Sequence, residues 1–156
     1  MRNKLLKQFL IKSNIAGYAS GEEKKWKNES DGSTSINYVD GIWRFHDNFF
    51  GGEPYGGRLV VFKNNNPYWI MVYYGWVNKK ANTDEVYKVL RIALKNMPEA
   101  APFRGPKEIK QNNYTYRNSW TGDIERYTGE EQITQNGKLC YKANYMGGLV
   151  NIREGV

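Results

Sequence analysis

Apolar residues along the chain recur at two periods, and the switches between them mark its elements. Leu5, Leu6, Phe9, Leu10 and Ile15 fall on one face of a 3.6-residue helix, and Gly17 is placed to end it. Residues 18–35 are polar and rich in Gly and Ser, and read as a long loop. Strand-like runs follow at about 37–49, 57–63 and 67–77, with Asn64-Asn65-Asn66 as a hairpin signal between the last two. A second helix is predicted from Asn82 as its cap, Asp84 and Glu85 in its first turn, and an apolar face of Val86, Val89, Leu90, Ala93, Leu94 and Met97. Pro98 stops it. A Pro-containing loop, 98–106, leads to three more strands at about 113–120, 126–135 and 138–146, the last two joined by Asn136-Gly137.

The second set of elements echoes the first at a shift of 72 residues. Tyr55-Gly56-Gly57-Arg58 answers Tyr127-Thr128-Gly129-Glu130, and Tyr73-Tyr74-Gly75-Trp76 answers Tyr145-Met146-Gly147-Gly148. After a one-residue slip, Phe45-x-Asp47-x-Phe49-x-Gly51 matches Tyr116-x-Asn118-x-Trp120-x-Gly122. A repeat of this kind implies one supersecondary unit used twice. The expected architecture is therefore an α+β fold built from a duplicated unit of one helix and three antiparallel strands. It would have about six strands, with both helices packed on one face of the sheet. Residues 1–156 form one domain of two internal repeats, about 3–77 and 82–150.

Comparing the repeats gives the sharpest functional lead. On the last strand of the second, Leu139, Tyr141, Ala143 and Tyr145 read as core-facing and alternate with the largely polar Cys140, Lys142, Asn144 and Met146. The first repeat places Trp69, Met71 and Tyr73 on the same side, but its other side carries Tyr68, Ile70, Val72, Tyr74 and Trp76. Phe62 and Val60 stand where the second repeat has Thr134 and Gln132. Three explanations stand open for this extra apolar face. The 18–40 segment or the Pro-rich loop covers it, or it is a subunit interface, or it lines a ligand groove.

Composition narrows the chemistry. At 156 residues the chain can bury roughly 70% of its unfolded surface without staples. Its twelve tyrosines suit sheets and binding surfaces. The single Cys140 can form no internal disulfide and no apolar run reaches the ~20 residues of a membrane span, so a cytoplasmic location and no membrane contact are expected. The net charge of +7 comes from scattered lysines such as Lys24, Lys25 and Lys27, Lys79-Lys80, Lys107 and Lys110, so direct nucleic-acid binding is not expected.

One histidine, His46, and one cysteine exclude the common metal-ligand sets, a nucleophilic triad would have to use His46, which reads as a structural strand residue beside Asp47, and no cofactor motif is present. Paired carboxylates are the remaining catalytic possibility. Asp47 and Glu53 flank the first glycine turn, and Asp123, Glu130 and Glu131 occupy the matching region of the second repeat. Acids beside glycine turns also bond turn amides, which is their structural explanation. Arg104, in Arg104-Gly105-Pro106, has no counterpart at the 72-residue shift and could pair with a strand carboxylate or bind an anion.

The motifs in order resemble an uncharacterised family of small bacterial domains. They are Asp47, Gly51-Gly52-Glu53, Tyr55-x-Gly57, Pro67-x-Trp69-x-Met71-x-Tyr73-Tyr74-Gly75, Arg104-Gly105-Pro106, Tyr114-x-Tyr116, Gly122-Asp123, Tyr127-x-Gly129-x-Glu131-x-Ile133 and Gly147-Gly148. Members of that family occur alone or fused behind a Cro/Xre-type helix-turn-helix. Two departures stand out: Gly57-Arg58-Leu59 replaces the family's Gly-Glu-Glu, and Met146 replaces a histidine before the final glycines. The resemblance implies a domain that senses a ligand or mediates assembly in transcription regulators. No helix-turn-helix precedes the first helix of this sequence, so DNA recognition of that kind is not expected of it.

The function expected is a non-enzymatic binding or regulatory domain for a small molecule or a protein, with no catalytic and no metal-binding residues. Its binding residues would be Asp47, Glu53, Phe62, Ile70, Tyr74, Trp76, Arg104, Trp120 and Glu131. The alternatives are a homodimer formed through the extra apolar face and a small hydrolase using Asp47 or Glu53 with Glu130 or Glu131.

Overall fold

The computed structural model describes residues 3–21 and 25–153, so Lys24 of the basic cluster lies outside the described residues. Helix α1 (Lys4–Ala16) buries Leu6, Phe9 and Leu10 along the predicted stripe, whereas Leu5 and Ile15 stay exposed. A single 3-10 turn, Tyr18–Ser20, follows it. Helix α2 (Thr83–Lys95) begins where Asn82 Oδ1 accepts the Glu85 N–H at 3.1 Å, and it buries Val86, Val89, Leu90, Ala93 and Leu94.

The strands are β1 (Lys27–Asn28), β2 (Thr34–Asp40), β3 (Trp43–Phe50), β4 (Tyr55–Lys63), β5 (Asn66–Val77), β6 (Glu108–Gln111), β7 (Tyr114–Asp123), β8 (Arg126–Gln135) and β9 (Lys138–Leu149). They form one antiparallel sheet in the order β1-β2-β3-β4-β5-β9-β8-β7-β6. The chain meanders from β1 to β5, passes through α2 to the far edge, and meanders back until β9 pairs with β5.

This corrects the expected α+β fold of a duplicated helix-and-three-strand unit with about six strands. The described residues are mostly β, with nine strands in a single sheet. Residues 37–49 do not make one strand. Asp40 pairs with Trp43 around a two-residue turn, and Gly41 takes φ +59° there, where a side chain is strained. The flanking Val39 and Ile42 kept the run apolar and hid that turn. A similar turn at Asn112, φ +54°, closes the short edge hairpin of β6 and β7. β1 adds two residues at the other edge, inside the segment expected to be loop.

Pairings match across the two meanders. Tyr55 faces Gly75 as Tyr127 faces Gly147, and the β4–β5 bulge at Val61/Phe62 has its counterpart at Ile133/Thr134 in β8–β9. Both helices lie on one face of the sheet. α1 packs with Ile36, Phe45 and Trp69, and α2 packs with Tyr116, Ile133 and Tyr141. From the two segments that could have covered the other face, Trp26 packs edge-on to Phe49 and Phe103 stacks on Tyr127, both on the helix side. The opposite face therefore leaves Val72, Tyr74 and Met146 exposed.

Candidate functional site

Asp47 lies at the centre of the helix-facing side of β3 and is 9% exposed. Strand alternation turns Phe45, Asp47 and Phe49 to this side, and pairing sets Phe49 opposite Gly57 and Gly57 opposite Tyr73. Gly57 adds no side chain between them. A Cβ there would come within 2.4 Å of the Asn48 carbonyl and 2.7 Å of the Phe49 backbone. Over this gap the Tyr73 hydroxyl reaches Asp47 Oδ1 and donates to it at 2.5 Å. Burial is the largest influence on Asp47 and raises its carboxyl from 3.8 to about 6, with the Tyr73 bond and the charge of Arg104 pulling the other way. Burial, and then Asp47 itself, hold Tyr73 well above the ordinary phenol range, so this hydroxyl is a donor.

The second meander repeats this geometry with a neutral partner. Tyr145 donates across Gly129 to Asn118 Oδ1 at 2.7 Å, and Asn118 Nδ2 donates to the Gly105 carbonyl at 2.8 Å. Beside it, Glu131 is wholly buried yet saturated. It accepts from Arg104 at 2.5 and 3.0 Å, from Tyr116 at 2.6 Å and from Tyr141 at 2.9 Å. The Gly105 N–H donates to the Tyr116 hydroxyl at 3.0 Å, which ties the loop before β6 to the same cluster. Arg104 spends Nε and Nη2 on Glu131 and is 13% exposed, with its guanidinium carbon 5.9 Å from the Tyr73 ring centre.

Between Asp47 and the helices lies a cavity of about 210 Å³. Its sheet wall is Phe45, Phe49, Leu59 and Met71, with Tyr73 and Tyr55 towards the second meander. α1 contributes Leu10 and Asn14, α2 contributes Tyr87 and Arg91, and the α2–β6 loop contributes Phe103 and Arg104. Trp26 closes one end, stacked on Tyr18 at 5.7 Å, and its buried indole N–H has no hydrogen-bond partner. The exposed lining residues Gly51 and Gly52 place the mouth at the β3–β4 turn. There the Tyr87 hydroxyl meets Glu53 Oε2 at 2.6 Å and the Gly52 carbonyl at 3.0 Å, while Glu53 Oε1 accepts the Val77 N–H at 2.5 Å. Glu53 thus fastens the turn to β5 and α2.

The nine residues singled out from sequence separate into two places. Asp47 and Arg104 line the cavity, Glu131 stands behind Arg104, Glu53 is at the mouth, and Trp120 packs edge-on to Phe103 of the wall. Phe62, Ile70, Tyr74 and Trp76 are on the opposite face, where the Arg44 guanidinium lies 3.7 Å from the Phe62 ring centre. Glu130 is on that face too, 3.1 Å from Lys142, and so is divided from Asp47 by the sheet. Among the described residues no group of three or more His, Cys, Asp or Glu side chains is placed to hold a metal ion.

Sequence reasoning missed Tyr18, Trp26, Tyr55, Tyr87 and Arg91, and assigned Tyr73 to the core. Trp26, the single tryptophan of the polar 18–35 stretch, is the one available signal.

No curated protein and no solved structure matches the chain. A family model does, over residues 47–150, a span that runs from Asp47 to the end of β9 and includes Tyr73, Arg104 and Glu131. The chain belongs to the family described as a domain of unknown function, DUF5680.

Proposed function

We propose that this protein is a non-enzymatic domain that binds a small organic molecule in the cavity between the sheet and its two helices. The observation that carries this reading is the cavity itself: about 210 Å³, walled mainly by apolar and aromatic side chains, with one buried carboxyl on its floor. Ligand sites have this composition, an apolar enclosure with a few convergent polar groups. An empty apolar cavity of about 150 Å³ is already large enough for benzene. The unpartnered Trp26 N–H supplies a second polar contact within the same walls.

We also infer that residues 1–156 act as one domain of two related halves, about 3–77 and 82–150, supported by the matching registers and bulges of β4–β5 and β8–β9. A cytoplasmic regulatory role, of the kind implied by resemblance to bacterial domains fused to Cro/Xre-type regulators, belongs to the same proposal.

Thermal-shift screening against metabolites tests it, because a ligand at a hundredfold its Kd stabilises the fold by about 2.7 kcal/mol. Leu59→Trp, which fills the cavity from β4, is expected to abolish any such shift. A hit whose shift survives that substitution binds elsewhere and counts against the cavity.

A second reading, self-association through the outer face, is favoured by one observation. Val72, Tyr74 and Met146 are 42%, 57% and 57% exposed, and Val72 and Met146 are cross-strand neighbours. Sedimentation velocity showing only monomer at high protein concentration removes it.

A further inference from the structure

We propose that the ligand of this cavity is a small organic cation, a protonated amine on an apolar body, whose ammonium group pairs with Asp47 among the surrounding aromatic rings. This deepens the reading of the cavity as a ligand site and rests on it.

The argument begins with the comparison of Asp47 and Asn118. Each accepts a tyrosine hydroxyl across a glycine, Tyr73 over Gly57 and Tyr145 over Gly129. The tyrosine bond alone therefore needs no charge, since Asn118 makes it as a neutral amide. Asp47 carries an ionisable group into a nearly dry site, which is costly unless an opposite charge meets it. Among the described residues no cation lies within ion-pair distance of it.

Arg104, from the α2–β6 loop, is matched by Glu131 at 2.5 Å. Arg91, on α2, lies over the Tyr18 ring at 5.4 Å. Tyr73 from β5, Tyr55 from β4, and Tyr18 and Tyr87 from the helical side are all held above the ordinary phenol range, by burial first, and stay neutral. α1 offers only Leu10 and Asn14. Of the two buried acids here, Glu131 is paired with Arg104 and Asp47 is not, so among the described residues Asp47 is the carboxylate facing the cavity without an ion-pair partner. Ring faces attract ammonium groups in the same sense, and Asp47 Oδ2 is not used by Tyr73.

Three probes of equal size and different charge test this by calorimetry: benzylamine, benzyl alcohol and benzoate, on the wild type and on Asp47→Asn. Asn at this position keeps an acceptor for Tyr73, so the variant is expected to fold, and circular dichroism verifies it. Benzylamine is expected to bind the wild type at pH 7.5 at least tenfold more tightly than benzyl alcohol, with benzoate weakest, each tenfold being about 1.4 kcal/mol. Asp47→Asn should lose that preference while its affinity for benzyl alcohol stays within about threefold.

Lowering the pH to 5 protonates a carboxyl that titrates near 6 and should weaken benzylamine binding by about tenfold in the wild type only. Equal binding of all three probes, unaffected by the substitution, overturns the cation assignment and leaves the cavity reading standing. Preference for benzoate overturns it in favour of an anion. Failure of every probe at millimolar concentration, together with no Leu59→Trp-sensitive hit in the thermal screen, overturns both.

Discussion

Replacing Asp47 by Asn is expected to stabilise the ligand-free protein, by an amount that grows with pH. Folding removes this carboxyl from water, and burial raises it from 3.8 to about 6. Between those values the folded state holds the proton more tightly than the unfolded chain does. The contribution to stability is therefore complete below 3.8 and is lost as the pH rises through 6. At about 1.4 kcal/mol for each tenfold in proton affinity, the loss at neutral pH is on the order of 3 kcal/mol. Asn avoids it, because the amide has no charge to desolvate and still accepts from Tyr73. Urea melts of both proteins from pH 5 to 8 measure the difference. The gain should be about half its full size at pH 5, level off above pH 6, and reach about 3 kcal/mol, or about 6–12 °C in Tm for a chain of this length. Exposed carboxyls held low by local bonds, such as Glu29 and Asp31, act alike in both proteins and cancel. A variant less stable than wild type at every pH, or a gain independent of pH, refutes the assignment of a costly buried charge.

The other perturbations act on structure and carry the opposite sign. Glu131→Gln strips the charge that matches buried Arg104 and should cost about 3–5 kcal/mol in urea melts, with a much smaller effect from the same change at half-buried Glu130. Gly57→Ala forces a Cβ to within 2.4 Å of the Asn48 carbonyl; a loss of about 1–3 kcal/mol, with altered Tyr73 fluorescence or NMR shifts, is expected. Asn82→Ala removes the cap that receives the Glu85 N–H and should lower stability by about 1 kcal/mol without touching any ligand response.

Local chemistry made much of the fold legible, and tertiary placement hid the rest. Asn82, the acidic first turn and the apolar stripe of α2 are local signals and fixed that helix closely. The Asn64-Asn65 and Asn136-Gly137 turns were also legible, because φ values of +49° to +77° demand such residues. β6 was not, since four residues at a sheet edge carry no usable alternation. Asp40-Gly41 was passed over because apolar residues continue on both sides of it. At the site, Asp47, Arg104 and Glu131 were visible as charges with no obvious solvent role. Tyr73 was assigned to the core because strand parity gives the side of a sheet and not what stands opposite. Trp26, Tyr18, Tyr87 and Arg91 come together only because α1 and α2 seat on one face of the sheet, and no spacing in the chain records that.

The two halves of the sheet differ most tellingly on the inner face, although their sequences also differ in apolar content on the outer one. The second half keeps its buried acid, Glu131, satisfied by Arg104, Tyr116 and Tyr141, and sets neutral Asn118 where a tyrosine needs an acceptor. Each of these side chains has an internal partner, and Tyr116 and Tyr141 pack against α2, so the cluster holds loop, strands and helix together. The first half replaces Glu131 by the apolar Leu59 and Asn118 by Asp47, and leaves space in front of them. A charge expected to weaken the empty fold, in a half whose counterpart pairs its buried acid with Arg104, marks the half where stability has been given up. Substituting Asp47 separates the two roles, since a purely structural residue would not yield a more stable protein on its removal. If stability rises while amine binding falls, both follow from one carboxylate.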